Sequence, residues 1–133
     1  MSKERFEKWV QPVLEHGKLS HWNWMVHHPD NIKLGNKVDI GAFTYINALA
    51  GIEIGDRVEI GSHCSIYSVS TIDDKIGRVV LEEGCKVGSH STVMPGVTIG
   101  RNAVIGAHSF VNKNIPANSV AFGVPARVRK SKK

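Results

Sequence analysis

Two cysteines are too few for a disulfide framework. Cys64 and Cys85 stand far apart, and neither belongs to the C-x-x-C pair that zinc ribbons use. No run approaches the roughly 18 apolar residues of a membrane-spanning helix. The N-terminal MSKERFEKW lacks the apolar stretch of a secretory signal, so a soluble cytoplasmic protein is expected. Helix-period patterning is missing after residue 31, which excludes a helical bundle or a Rossmann-type sheet. A basic stripe and an aromatic RNA-binding pattern are also missing, so nucleic acid is not an expected partner. Much of the net charge of +5 sits at the end of the chain, on Arg127, Arg129, Lys130, Lys132 and Lys133. Such a tail fits either a solvated, frayed end or contact with a phosphorylated ligand. At 133 residues there is room for one domain with a modest core.

What is present is a repeat. Aliphatic residues return every sixth position at Leu34, Ile40 and Ile46, then at Ile54, Ile60 and Ile66, and again from Leu81 through Val87, Val93, Ile99, Ile105 and Val111. Glycine often follows the aliphatic residue, as at Gly41, Gly61, Gly88 and Gly106. Four positions after it comes a small or β-branched residue, including Thr44, Ala50, Cys64, Ser70, Cys85, Ser91 and Ser109. In a short strand, residues two apart share a face, so the aliphatic residue and the small one before it both point inward. Three such hexads make one triangular coil, and coils must stack because no single coil buries its own apolar face. The hexads fit about four coils of a parallel β-helix. In this pattern Cys64 and Cys85 occupy inward slots and are expected to be buried thiols.

The register breaks twice. The step from Ile46 to Ile54 is eight, a two-residue insertion around Gly51 and Ile52. The step from Ile66 to Leu81 is fifteen, which allows one intervening hexad and three surplus residues; the polar stretch 70–78 is expected to leave a corner as a loop. Before the repeat, Phe6, Trp9, Val10, Val13 and Leu14 follow helical spacing, with Ser2 as a cap, Gly17 as a stop and Pro12 implying a kink. The expected layout is an N-terminal helix and capping arm over 1–31, the β-helix over 32–117 and a basic tail over 118–133. Residues His16, His21, His27 and His28 fall outside the repeat, where surface or capping roles are expected.

The stretches from Val87 to Gly100, from Ala103 to Pro116 and from Ala121 to Arg127 resemble the signature of the hexapeptide-repeat acyltransferases. The pattern is most similar to the galactoside and maltose O-acetyltransferases and related sugar or xenobiotic acetyltransferases, and it covers residues 32–130. The resemblance implies an all-β fold, a left-handed parallel β-helix, and a homotrimer with active sites between subunits. It implies acetyl-CoA as co-substrate, a small-molecule acceptor such as a sugar, amino-sugar or nucleotide-sugar, and no metal. By position, Ser89 and Ala107 fall where the family lines the pantetheine arm, and Asn112 and Lys113 fall on its Thr-Lys pair. Arg127 and Lys130 fall on two basic positions near the nucleotide phosphates, and Asn47 on an asparagine that contacts the acceptor. The family's usual general base, a histidine in the loop after the second coil, aligns with Thr71, and that loop holds no histidine.

Acyl transfer from a thioester needs an unprotonated nucleophile, and a hydroxyl acceptor generally needs a base. The missing loop histidine therefore leans the reading toward an amine acceptor. Replacement bases are offered by His63 and His90, which share a hexad slot with His108; the three are expected to stack along one corner at about 4.8 Å if the loop skips no face. The bland alternative is a set of half-exposed corner residues. Asp73 and Asp74 bind an acceptor amine, orient a histidine, or are a solvated loop pair. A γ-class carbonic anhydrase needs three histidines around zinc, two of them four residues apart within the helix; His63, His90 and His108 contain no such pair, and His16 and His21 precede the first coil. A non-catalytic hexapeptide assembly module is the other rival.

Overall fold

A computed structural model describes residues 4–131; Ser2, Lys132 and Lys133 lie outside the described residues. The chain winds into five successive turns of parallel strands. The first turn holds β1 (Met25–His27), a single 3-10 turn (Pro29–Asn31), β2 (Ile32–Leu34) and β3 (Asp39–Ile40). The second holds β4 (Tyr45–Asn47), β5 (Ile52–Ile54) and β6 (Glu59–Ile60). In the third, β7 (Ser65–Tyr67) leads into a small hairpin of β8 (Val69–Ser70) and β9 (Lys75–Ile76), then β10 (Val79–Leu81) and β11 (Lys86–Val87). The fourth holds β12 (Thr92–Val93), β13 (Thr98–Ile99) and β14 (Val104–Ile105). The fifth has β15 (Phe110–Val111), a bridge from Ile115 to Ile99, and β16 (Ser119–Gly123), on which β17 (Ala126–Ser131) folds back antiparallel.

Three flat faces result. The first stacks β1, β4, β7, β12 and β15; the second stacks β2, β5, β10 and β13; the third stacks β3, β6, β11, β14 and β16, with β17 on its edge. The inward columns are the hexad aliphatics: Val26, Ile46, Ile66, Val93 and Val111 under the first face, and Ile40, Ile60, Val87, Ile105 and Ala121 under the third, all buried. Each large aliphatic side chain in such a column contributes about 1.5–3 kcal/mol through burial. Polar slots at the corner before the first face are satisfied locally. Thr44 Oγ1 donates to the Gly61 carbonyl at 2.9 Å, Cys64 Sγ approaches the Gly88 carbonyl at 3.3 Å, and Ser109 Oγ donates to the Gly106 carbonyl at 2.7 Å. Buried hydroxyls therefore cost little here, because each meets a carbonyl of the stack. Ala50 and Ser70 do not fill such slots; both are only partly buried, and Ala48 and Ser68 are the buried small residues there.

Four expectations change. Five turns are present where about four were expected, because β1 and β16 add rungs outside the hexads counted in the sequence. His27 belongs to β1 and is therefore part of the coil, which begins before residue 32. No hexad lies between Ile66 and Leu81; the surplus is the β8–β9 hairpin, and β10 pairs directly with β5. The helix expected over Phe6–Leu14 is limited to α1 (Glu4–Glu7). Pro12 lacks an amide hydrogen and biases Gln11 away from the helical region, so this stretch is not helical. Instead it crosses the first turn as an arm, where Trp9 Nε1 donates to the Val38 carbonyl at 2.9 Å and Gln11 Nε2 to the Leu34 carbonyl at 3.4 Å. Trp24 is buried beneath it.

Candidate active site

The corner between the third and first faces carries the histidine column. His63, His90 and His108 occupy the same slot of successive turns, all in the left-handed region, with φ of +57°, +60° and +58°. Their exposed rings stack: His63 on His90 at 4.8 Å with planes 5° apart, and His90 on His108 at 4.9 Å with planes 7° apart. Phe43, φ +65°, begins the column with its ring 5.4 Å from His63. Histidine tolerates this backbone region better than β-branched residues do, and the stack follows from one side chain per rung. The neighbouring slot holds Ala42, Ser62, Ser89 and Ala107, and the carbonyls of the first three tie the rungs together: His63 N–H donates to Ala42 at 3.0 Å, His90 N–H to Ser62 at 3.0 Å and His108 N–H to Ser89 at 2.9 Å. Small residues are required below them, since a Cβ at Gly61 would lie 2.6 Å from the Ser89 nitrogen.

Two residues beyond the corner, the outer side of the first face forms one wall of a cleft of about 470 Å³. Tyr45, Asn47, Tyr67, Thr92, Met94 and Phe110 project from its strands, and the hairpin segment from Val69 to Asp73 supplies the opposite lip. Asn47, Thr71 and Asp73 thus line one cleft. Asp74 is exposed at the hairpin tip, φ +54°. Asn47 is held by its own side chain, Oδ1 accepting the Leu49 N–H at 3.1 Å. Ring contact between Tyr45 and Tyr67 at 5.9 Å stiffens the wall. Burial pushes the Tyr45 phenol up from its ordinary pKa, partly offset by hydrogen bonding from Asn47, with Tyr67 raising it further.

At the far end of the stack the corner closes under Phe122 and Gly123, where the chain turns into β17. Arg127 pairs with Phe122 across that ribbon and Lys130 with Val120, and both basic side chains are exposed. Arg127 Nη1 donates to the Ala126 carbonyl at 3.0 Å, and Arg129 lies over the Phe122 ring at 4.7 Å. Asn112 and Lys113 are exposed just after β15, on the other end of the first face. The histidine corner, Ser89, Ala107 and Arg127 therefore share one edge of the molecule, while Asn112 and Lys113 stand across the first face from it.

The cysteines are in the interior. Burial raises the Cys64 thiol and pushes Cys85 up to about 12, with Glu82 adding to the latter. Among the described residues no group of three His, Cys, Asp or Glu is arranged to hold a metal ion. The corner column explains why: parallel stacked imidazoles direct their lone pairs side by side and do not converge on one tetrahedral point. No helix among the described residues is long and apolar enough to cross a membrane.

Residues 78–113 match the family model described as bacterial transferase hexapeptide (six repeats). The chain is 64% identical over 121 residues to a galactoside O-acetyltransferase of Escherichia coli, covering 80% of this chain and 60% of that one. The chain thus carries the repeat of the bacterial hexapeptide transferases, and its relatives at 51–64% identity are galactoside O-acetyltransferases. Among solved structures, the chain resembles a hexapeptide-repeat acetyltransferase from Vibrio cholerae complexed with acetyl coenzyme A: TM-score 0.78, 28% identity, 83% of this chain and 65% of that chain covered. It also resembles a variant of AntD, an N-acyltransferase from Bacillus cereus, in complex with dTDP-4-amino-4,6-dideoxyglucose and coenzyme A: TM-score 0.59, 27% identity, 84% and 71% covered. The chain spans about half the length of the curated relatives it matches, from 46% to 60% of the first three.

Sequence reasoning missed Tyr45, Tyr67 and His27. The signal for His27 was available: the eight-residue step from Ile46 to Ile54 is repeated from Val26 to Leu34, which marks Met25–His27 as a rung.

Proposed function

We propose that this chain is an acetyl-CoA-dependent acetyltransferase whose acceptor is the amine of an amino sugar, free or carried on a nucleotide. The observation that carries the reading is a cleft lined by Asn47, Thr71 and Asp73 and by no histidine. A carboxylate suits an ammonium group, and an amine that sheds its proton needs no strong base to attack a thioester. The acyl donor would lie along the histidine corner. Ser89 and Ala107, both small, would lie along a pantetheine arm, His63 and His90 would meet the thioester, and Arg127 and Lys130 would face the nucleotide phosphates at the closed end. Asn112 and Lys113 lie across the face from that corner, so their contact with the same donor is assigned to a site completed by a second subunit.

A homotrimer with sites between subunits is part of the proposal. It is supported by apolar side chains that one chain leaves uncovered beside the cleft, Ile72 at 98% exposure and Ile76 at 72%. Asp74, at the exposed tip, is assigned to the same acceptor lip. Cytoplasmic location accords with a reaction that consumes acetyl-CoA.

The test is an acceptor screen with acetyl-CoA, following thiol release, across glucosamine, dTDP-4-amino-4,6-dideoxyglucose, serine and simple galactosides. Turnover on an amine is expected. Turnover on sugar hydroxyls with none on any amine would overturn the amine assignment and favour the O-acetyltransferase activity named for the E. coli relative.

A further inference from the structure

Away from the corner, His27 is held on several sides at the start of the first face. His27 Nδ1 is 2.6 Å from the Tyr45 hydroxyl, with the two rings edge to face at 5.0 Å. The His16 ring stacks on His27 at 4.8 Å, with planes 18° apart. His16 is fixed in its turn, because its Nδ1 accepts the His28 backbone N–H at 2.9 Å and the His28 ring packs edge-on at 4.7 Å. Gly17 closes the remaining side: its N–H donates to the Val26 carbonyl at 2.9 Å, and a Cβ there would lie 3.3 Å from His27 Nε2. An imidazole clamped this way has one orientation, and it points at a hydroxyl on the wall of the acceptor cleft. His27 also pairs in register with Asn47, which lines the same cleft.

We propose that His27, acting through Tyr45, takes the proton from the acceptor amine. The inference rests on the amine reading given above. The transfer balances without a further reactant. An ammonium N–H bond breaks as the Tyr45 oxygen takes that proton, and the Tyr45 O–H bond breaks as its proton passes to His27 Nδ1. The amine keeps the electron pair it needs for attack, Tyr45 ends as a neutral phenol, and His27 ends as imidazolium. His27 must begin neutral with its proton on Nε2, which leaves Nδ1 to accept. Histidine suits this role because its ordinary pKa lies near neutral pH. The titratable groups packed against His27 are His16 from the arm, His28 beside it and Tyr45 from β4, with Tyr67 behind Tyr45. His27 is a positioning and relay residue, since it reaches the acceptor only through Tyr45.

Two variants of the full chain test the proposal. His27→Asn places an amide oxygen near the Nδ1 position, so Tyr45 keeps an acceptor, but asparagine takes no proton. Tyr45→Phe removes the hydroxyl and keeps the ring. Each is assayed with acetyl-CoA and glucosamine or dTDP-4-amino-4,6-dideoxyglucose, at pH 6.5 and pH 9.5. At pH 6.5 kcat should fall about 100-fold in each, with KM for acetyl-CoA within about threefold. The double variant should be no slower than the worse single one. At pH 9.5, where the amine arrives deprotonated, the loss should shrink below about tenfold. His27→Asn within about threefold of wild type at pH 6.5, or equal losses at both pH values, overturns the relay while leaving the acetyltransferase reading in place. Wild-type chain that acetylates no amine overturns the relay together with the amine reading, and is recognised without any variant.

Discussion

His63 and His90 lie face to face, their ring centroids 4.8 Å apart and their planes 5° from parallel, although the β8–β9 hairpin separates them in sequence. The hairpin leaves the coil and returns without advancing the register, so the next rung places its histidine directly over the last. The corner thereby gains a column of imidazoles next to Ser62 and Ser89, two residues before the cleft lined by Tyr45, Thr92 and Phe110.

His63→Ala and His90→Ala, made separately, should each retain CoA binding, and at least one should lose about 100-fold in kcat. Thiol release and calorimetry together give both numbers. Unchanged turnover in both variants would remove the corner histidines from the chemistry and leave them as turn residues.

Arg127→Ala and Lys130→Ala should act on binding alone. Charge-assisted hydrogen bonds contribute about 1.5–3 kcal/mol each, so KM for acetyl-CoA should rise about tenfold or more with kcat held. The effect should weaken at high salt, because both side chains are exposed. Equal KM in variant and wild type would place the phosphates elsewhere.

Cys85 gives a pH signature of stability. Its folded-state pKa of about 12 stands above the ordinary value of 9.0, so the folded chain holds a proton that the unfolded chain releases. Stability from this group is therefore complete below pH 9 and declines as pH rises toward 12, by about 1.4 kcal/mol per pH unit over that window. Urea unfolding between pH 8 and pH 11 should show the decline, and Cys85→Ala should remove that part of the slope. Neither Cys85 nor Cys64 should react with a thiol reagent at pH 8 until the chain is unfolded.

Ile66→Ala should cost about 2–5 kcal/mol, because Ile66 is fully buried in a column whose backbone ladder cannot collapse inward. Ile72→Ser should leave the unfolding energy of one chain nearly unchanged while weakening self-association, measured by sedimentation. An unaltered assembly would mean that the hairpin is not covered by a second subunit.

Most of the coil was legible because the repeat obeys one rule: an inward aliphatic residue every sixth position, with a small residue two before it. From Leu34 onward that rule places Ile40, Ile46 and their successors on the correct faces, and it predicted the stack of His63, His90 and His108. It fails where a face uses an eight-residue step, as from Val26 to Leu34, because the second face there buries a pair such as Ile52 and Ile54. That hid β1, and with it His27. The arm departs from its pattern: Phe6, Trp9, Val13 and Leu14 have helical spacing, yet Pro12 and the Trp9 hydrogen bond to Val38 favour a non-helical path. That Asn47 and Asp73 line one cleft is not legible in the sequence, since it depends on which way the hairpin folds beside the first face.

The central claim is an acetyl-CoA site along the histidine corner, and calorimetric titration of CoA into the purified chain tests it most directly. One site per chain is expected, with Kd between about 1 μM and 1 mM, the range of ordinary enzyme substrates, and weaker binding in Arg127→Ala. An absence of binding heat, with no competition by CoA against acetyl-CoA turnover, would contradict it and leave the coil as an assembly module.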